Sequence, residues 1–237
     1  NGLLGEAYFV RALSYFDLAR TWGGVQLILT PTASAADKPK MKKSSLADTY
    51  AQARKDLETA EPLLGNNVNR IRATRKTVWA LRARLHLYLK QWQEAETYAT
   101  KVIEDNANYT LLYPYRAFFA GGASNTQESV LELYYNINTT NTQAYQWQPS
   151  SKGGVGWIKP TAQIVGLLND PQIGGNRSDL LLSAVINGVQ SWYGNLYYRI
   201  SGSGGTDPAY LIRIAELYLI RAEARAALHG GASEHEM

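Results

Sequence analysis

Apolar positions follow a helical rhythm at both ends of this chain and lose it in the middle. Residues 3–21, 74–90 and 209–228 contain no proline and mix Leu, Ala, Arg and Glu at helical spacing, which predicts three helices. Each carries one phrase. Tyr8-Phe9-Val10-Arg11-Ala12, Trp79-Ala80-Leu81-Arg82-Ala83 and Tyr218-Leu219-Ile220-Arg221-Ala222 all read aromatic, any residue, aliphatic, Arg, Ala. A second pattern follows the first two copies: Tyr50, Ala53, Leu57 and Ala60, then Trp92, Ala95, Ala99 and Val102. Intervals of 3, 4 and 3 put each set of four on one helical face, predicting two helix-turn-helix units.

In the second unit Ala83 stands twelve positions before Ala95, and Trp92 three before it. This resembles the tetratricopeptide pattern, in which small residues let paired helices approach and an aromatic plugs the gap. The predicted fold class is therefore mainly α: tetratricopeptide-like helix pairs in an α-α superhelix scaffold, with a long irregular, loop-rich insertion. Residues 1–106 are read as scaffold, 107–208 as the insertion, and 209–229 as a returning scaffold helix. In that last helix Leu211, Ala215, Tyr218, Ala222 and Ala226 are predicted to line one face, with apolar residues on other sides as well. Such a helix calls for neighbours on more than one side. Only nine residues, HGGASEHEM, follow Leu228, so its own second helix is expected to lie beyond the chain given.

Residues 134–198 hold nine Tyr or Trp but only five charged residues, among many Asn, Gln and Gly. The aromatics are Tyr134, Tyr135, Tyr145, Trp147, Trp157, Trp192, Tyr193, Tyr197 and Tyr198. An aromatic face packs on the C–H side of a pyranose, and Asn and Gln both donate to and accept from hydroxyls. The pair Tyr145 and Trp147 is hard to read as a loop anchor, because its immediate surroundings contain almost no aliphatics. Tyr145, Trp147 and Trp157 are the candidate stacking platforms for an oligosaccharide, and Asn141, Gln143 and Gln148 the candidate hydroxyl partners. Aromatic and amide loops also suit a peptide.

Charge changes this picture little. The net charge is +4, and the one dense basic cluster, Lys38, Lys40, Lys42 and Lys43, reads as a solvated loop, so no nucleic-acid partner is expected. No cysteine is present, which excludes disulfides and thiol chemistry, and no apolar run approaches the roughly 20 residues of a membrane span. His86, His229 and His235 have no metal-ligand spacing. His86 reads as structural, and His235 between Glu234 and Glu236 as part of a loose terminus. Gly-rich stretches lack phosphate-loop spacing, and Asp170 and Asp179 read as turn and cap residues. No catalytic residue, metal or cofactor is expected, and the protein is read as a binder rather than an enzyme.

Four blocks resemble, in order, those of the SusD/RagB family of outer-membrane nutrient-binding lipoproteins of Bacteroidetes: GEAYFVRALSYFDLARTWGGVQLI, TYAQARKDLETAEPLL, TVWALRARLHLYLKQWQEAETYATKVIED and YLIRIAELYLIRAEARAALHGG. Phe118, Phe119, Asn125 and Glu128 in FFAGGASNTQESVLEL resemble the block leading into the loop-rich half. The resemblance implies a single domain, truncated at both ends in this chain, from a protein facing outward at the cell surface and held on the outer membrane by a lipid anchor absent here. It also implies a SusC-like TonB-dependent transporter as partner and capture of oligosaccharides or, in some members, peptides. A helical-repeat module that binds only protein is the rival reading. In the family the repeats form the scaffold, so Arg11, Arg82 and Arg221 are expected to serve helix ends or acids such as Glu6 and Glu216. Two departures stand out. Gly23-Gly24-Val25-Gln26-Leu27 replaces the usual Gly-Gly-x-Pro-Leu, and Asp170-Pro171-Gln172 only approximates a common Asp-x-Arg motif.

Overall fold

The computed structural model describes residues 1–34, 41–119, 124–186, 188–197 and 205–230. In chain order the elements are α1 (Gly2–Trp22), α2 (Leu46–Ala60), α3 (Arg75–Tyr88), α4 (Trp92–Ile103), β1 (Ser129–Leu133), α5 (Gln143–Trp147), α6 (Ala162–Asn169), β2 (Leu181–Ile186), β3 (Val189–Gly194), β4 (Ala209–Arg213) and α7 (Ile214–His229). They divide between two units: residues 1–109 with the chain from Ile212 onward, and Thr110–Leu211.

The first unit is helical. Ser45 opens α2 by accepting from the Asp48 N–H at 3.0 Å. Thr74 opens α3 in a capping box with Thr77. Lys90, at φ 55, turns the chain between α3 and α4, and the Gln91 N–H donates back to the His86 carbonyl at 2.9 Å. So short a turn makes α3 and α4 antiparallel neighbours. Both four-residue stripes face the core: Tyr50, Ala53, Leu57 and Ala60 are buried, as are Ala95, Ala99 and Val102 beside half-buried Trp92. Ala83 and Ala95 have no exposed surface. Methyl groups here let helix backbones approach closely, and Phe9, Phe16, Leu57, Leu81 and Leu85 fill the space between. Each such large side chain contributes roughly 1.5–3 kcal/mol by burial.

The repeated Arg-Ala phrase has a specific structural use. Arg11 holds buried Asp56 of α2 through two bonds, Nε and Nη2 each at 2.7 Å from a carboxylate oxygen. Arg82 of α3 holds Glu61, just past α2, at 2.6 Å, and Trp79 Nε1–H of the same phrase donates to that carboxylate at 2.7 Å. Two copies thus clamp α2 from the helices before and after it. Glu6 and Glu216 are not the partners: Arg72 holds Glu6, and Arg84 holds Glu216. Arg221 instead lies over its neighbour Tyr218, 5.4 Å from the ring centre.

The last helix differs from its expectation in extent and phase. Residues 209–213 form strand β4, and α7 starts at Ile214. Pro208 fixes the approach, and pairing of β4 with β1 supplies backbone partners that a helical turn would have to replace. The buried stripe is Ile214, Leu217, Ile220 and Ala224, because α7 docks on α4 and α3 through that side. Leu211, Ala215, Tyr218 and Ala222 are only half-buried, Ala226 is exposed, and Leu219 is 71% exposed. Arg84 to Glu216 and Arg225 to Glu96 flank the seam.

The second unit has short elements. β1 pairs with β4, and β2 pairs antiparallel with β3 from Leu181↔Gly194 to Ile186↔Val189. This hairpin lies inside the stretch read as irregular. Phe118, Phe119 and Tyr210 form an aromatic cluster, with Phe118 and Tyr210 ring centres 4.1 Å apart.

Candidate functional site

α5 and the loop after it set the site's frame. The Gln148 N–H donates to the Ala144 carbonyl, Val155 N–H to the Tyr145 carbonyl at 2.8 Å, and Ile158 N–H to the Gln146 carbonyl at 3.2 Å. Residues 145–148 and 154–158 are therefore held side by side. Gly154 is required there: a Cβ would sit 2.1 Å from the Gln148 carbonyl oxygen. Gly194, ending β3, admits the Trp147 ring in the same way, since a Cβ would lie 2.1 Å from its Cε3.

These contacts form a cleft of about 80 Å³ lined by Trp147, Pro149, Ser150, Val155, Gly156, Lys159, Ile186, Trp192 and Tyr193. Trp147 meets Tyr197 edge-on, with ring centres 6.3 Å apart. Burial, with lesser contributions from nearby Asp207 and Tyr135, pushes the Tyr197 hydroxyl above its ordinary range, so it remains a neutral donor.

The six residues singled out from sequence separate into two groups. Trp147 lines the cleft; Tyr145 and Trp157 do not, but stand 46% and 77% exposed on the segments that build its wall. Gln143 is half-buried, and its N–H is bonded to Asn141 Oδ1 at 2.8 Å. Asn141 and Gln148 are buried. Asn141 Nδ2 donates to the Asp207 carbonyl at 2.9 Å, and Gln148 Nε2 to the carbonyls of Gly194 and Tyr197, both at 2.9 Å. Both amides staple loops together. Trp192, Tyr193 and Lys159 complete the cleft without having been singled out. β2–β3 pairing brings the first two opposite Trp147, and the local signal for that hairpin is Asn187-Gly188.

A second, more open cleft of about 340 Å³ is lined by Ser124, Tyr134, Tyr135, Asn136, Ile137, Thr206 and Pro208. In the helical unit a shallow groove runs over Glu58, Glu61, Pro62, Arg75, Trp79 and Arg82. There Glu61 already holds Arg82 and the Trp79 indole N–H.

His86 is buried, stacked on Tyr98 at 5.6 Å, with Nδ1 against Gln91 Oε1 at 2.6 Å. Burial lowers its pKa, the Gln91 contact opposes that, and Arg82 adds to the lowering. This is a neutral packing histidine. Among the described residues no three His, Cys, Asp or Glu come together as metal ligands, and no helix is long and apolar enough to cross a membrane. Lys42 and Lys43 are exposed, whereas Lys38, Lys40, Tyr198 and the stretch Glu234-His235-Glu236 lie outside the described residues.

Comparison with known proteins places this architecture. Residues 1–89 match the SusD-like family described as starch-binding and associating with the outer membrane. The chain is 33% identical to a SusD-like protein of Formosa agariphila over 103 residues, 44% of this chain and 20% of that protein. A solved SusD superfamily protein of Bacteroides vulgatus aligns with TM-score 0.79 at 25% identity, covering 95% of this chain and 54% of the other. One from Parabacteroides distasonis aligns with TM-score 0.84 at 20% identity, covering 100% and 57%. A laminarin-binding SusD-like protein shares the fold with TM-score 0.81 at 20% identity, covering 98% and 60%. The chain spans about half the length of these solved relatives and a fifth of the curated one. Residues 1–89 thus match the SusD-like family, and the fold of the chain is that of solved SusD superfamily proteins.

Proposed function

We propose that this chain is the sugar-capturing part of a surface binding protein. It holds oligosaccharides by stacking them on Tyr145, Trp147 and Trp157, with Gln143 as hydroxyl partner and Asn141 and Gln148 keeping the loops in place. The observation that carries this reading is the exposure of Trp157, 77% open to solvent on a strapped loop beside the cleft that Trp147 and Trp192 line. A large aromatic ring held open to solvent on a fixed backbone is ready to stack on the apolar face of a ligand. The family's description as starch-binding and the laminarin-binding relative support a carbohydrate over other ligands. The same description supports attachment to the outer membrane. Delivery to a SusC-like TonB-dependent transporter completes the proposal, with the α1–α4 scaffold as the docking frame.

Calorimetric titration against panels of oligosaccharides and peptides tests it. Trp157→Ala touches little of the fold and is expected to weaken glycan binding by roughly 1–3 kcal/mol, the range for bases stacked on aromatics. Glycan affinity equal to wild type in both Trp157→Ala and a Tyr145/Trp147 double alanine variant discards the site. Peptide binding without glycan binding selects the peptide-capturing reading, and neither, beside a stable complex with an outer-membrane barrel, selects a protein-interaction module.

A further inference from the structure

The described lining of the aromatic cleft carries a single charge, and it is positive. From Leu133 to Asn169 the sequence contains no Asp or Glu, and its charged residues are Lys152 and Lys159. Strands β2 and β3, which close the other wall, carry no charge. Lys159 lines the cleft itself, the one charged residue to do so among the described residues. Its backbone is placed by the bond from Ile158 N–H to the Gln146 carbonyl at 3.2 Å, and Pro160 follows, so the ammonium leaves from a fixed point beside the Trp147 and Trp192 rings. Both lysines are exposed, and neither has an ion-pair partner among the described residues.

Several cations of the helical unit are paired. There Arg11, Arg72, Lys76, Arg82, Arg84 and Arg225 each hold a carboxylate. The side chains lining the cleft offer more donors than acceptors. The amides of Asn141 and Gln148 are spent on backbone carbonyls, and the polar side-chain atoms of the described lining are the Lys159 ammonium, the Ser150 and Tyr193 hydroxyls and the indole N–H groups of Trp147 and Trp192. An ammonium has three N–H donors and no acceptor. It is matched by an anionic oxygen and poorly used by a hydroxyl, which offers less charge and asks for an acceptor in return.

We infer that the cleft takes an acidic sugar: a pyranose whose apolar face lies on the Trp147 and Trp192 rings while its carboxylate or sulfate ester pairs with Lys159, with Lys152 adding to the positive field. The inference rests on the carbohydrate reading above and narrows it. Both anions present oxygens to the same ammonium, so the site chemistry is shared and the source is decided by experiment.

The test uses the full chain and two matched pairs of ligands at low salt. Oligogalacturonides are compared with the same oligomers fully methyl-esterified, and sulfated galactan oligosaccharides with their desulfated forms. The acidic member of at least one pair is expected to bind about tenfold tighter than its neutral counterpart, with the advantage fading by 0.5 M salt as the charges are screened. Lys159→Gln is expected to lower affinity for that acidic member about three- to fivefold, the scale of one partly exposed ion pair, and to leave the neutral member unchanged. Lys159→Glu should lower it further. Acidic and neutral members binding equally in both pairs overturns the acidic-sugar inference while the carbohydrate reading stands, and so does Lys159→Gln weakening both members alike. Binding of no sugar in either pair overturns the acidic-sugar inference, and binding of no sugar in the wider oligosaccharide panel as well overturns both.

Discussion

Removing Arg11 tests the scaffold most sharply. Asp56 is 1% exposed, and its two oxygens take bonds of 2.7 Å from Arg11 and one of 2.8 Å from Gln52 Nε2. Arg11→Met keeps the aliphatic stem but leaves the carboxylate with the Gln52 amide alone. Stranding a buried charge costs 3–5 kcal/mol when the pair is fully enclosed. The Arg11 side chain is 30% exposed, so water reaches the vacated place, and the expected cost is about 2–3 kcal/mol. At roughly 2–4 °C per kcal/mol for a chain of this size, thermal unfolding followed by circular dichroism should fall by about 4–12 °C. Because the cost lies in the orphaned charge, Arg11→Met combined with Asp56→Leu should recover part of that loss. An Arg11→Met variant melting within 2 °C of wild type, or a double variant whose loss is the sum of the single losses, refutes the reasoning.

Gly194→Ala forces the Trp147 ring to move about 1.5 Å to restore an ordinary carbon contact, at about 1–3 kcal/mol. Melting and Trp fluorescence should both shift, and unchanged fluorescence would show that the ring does not lie on Gly194. His86 makes stability depend on pH: its folded-state pKa is below the ordinary 6.5, so the unfolded chain takes the proton first and stability falls as pH drops through that value. Urea titrations at pH 7 and pH 5 should show the loss in wild type and a smaller one in His86→Gln; equal losses would remove His86 as the source. At the binding surface, Trp157→Ala should weaken sugar binding without changing the melting temperature.

How much of this was legible beforehand depends on the distance over which the controlling interaction acts. The stripes Tyr50-Ala53-Leu57-Ala60 and Ala95-Ala99-Val102 could be read because a helix converts spacing of 3 and 4 directly into a common face. The phase of α7 could not. Its buried side is chosen by α3 and α4, and with apolar residues around most of the helix the sequence offers several near-equal faces. Strand β4 was hidden for a similar reason: Ala209–Arg213 is extended because β1 is there to pair with it. The β2–β3 hairpin did leave a local trace in Asn187-Gly188, masked by a surrounding stretch rich in Gly, Asn and Tyr.

The same division runs through the candidate site. Residue types were enough to mark residues 134–198 as aromatic and charge-poor, since packing and hydrogen-bonding capacity belong to the side chain itself. Which amide faces outward is another matter: Asn141 and Gln148 turn inward to donate to the carbonyls of Asp207, Gly194 and Tyr197, distant in sequence. By itself the sequence determined the helix pairs, the Arg-Ala phrase and the chemical character of the insertion, all set within a few turns of chain. Tertiary structure alone decided that Arg11 and Arg82 both grip α2 or its end, that β3 carries Trp192 to Trp147, and that Lys159 lines their cleft, because each depends on contacts between segments whose separation in sequence carries no local signal.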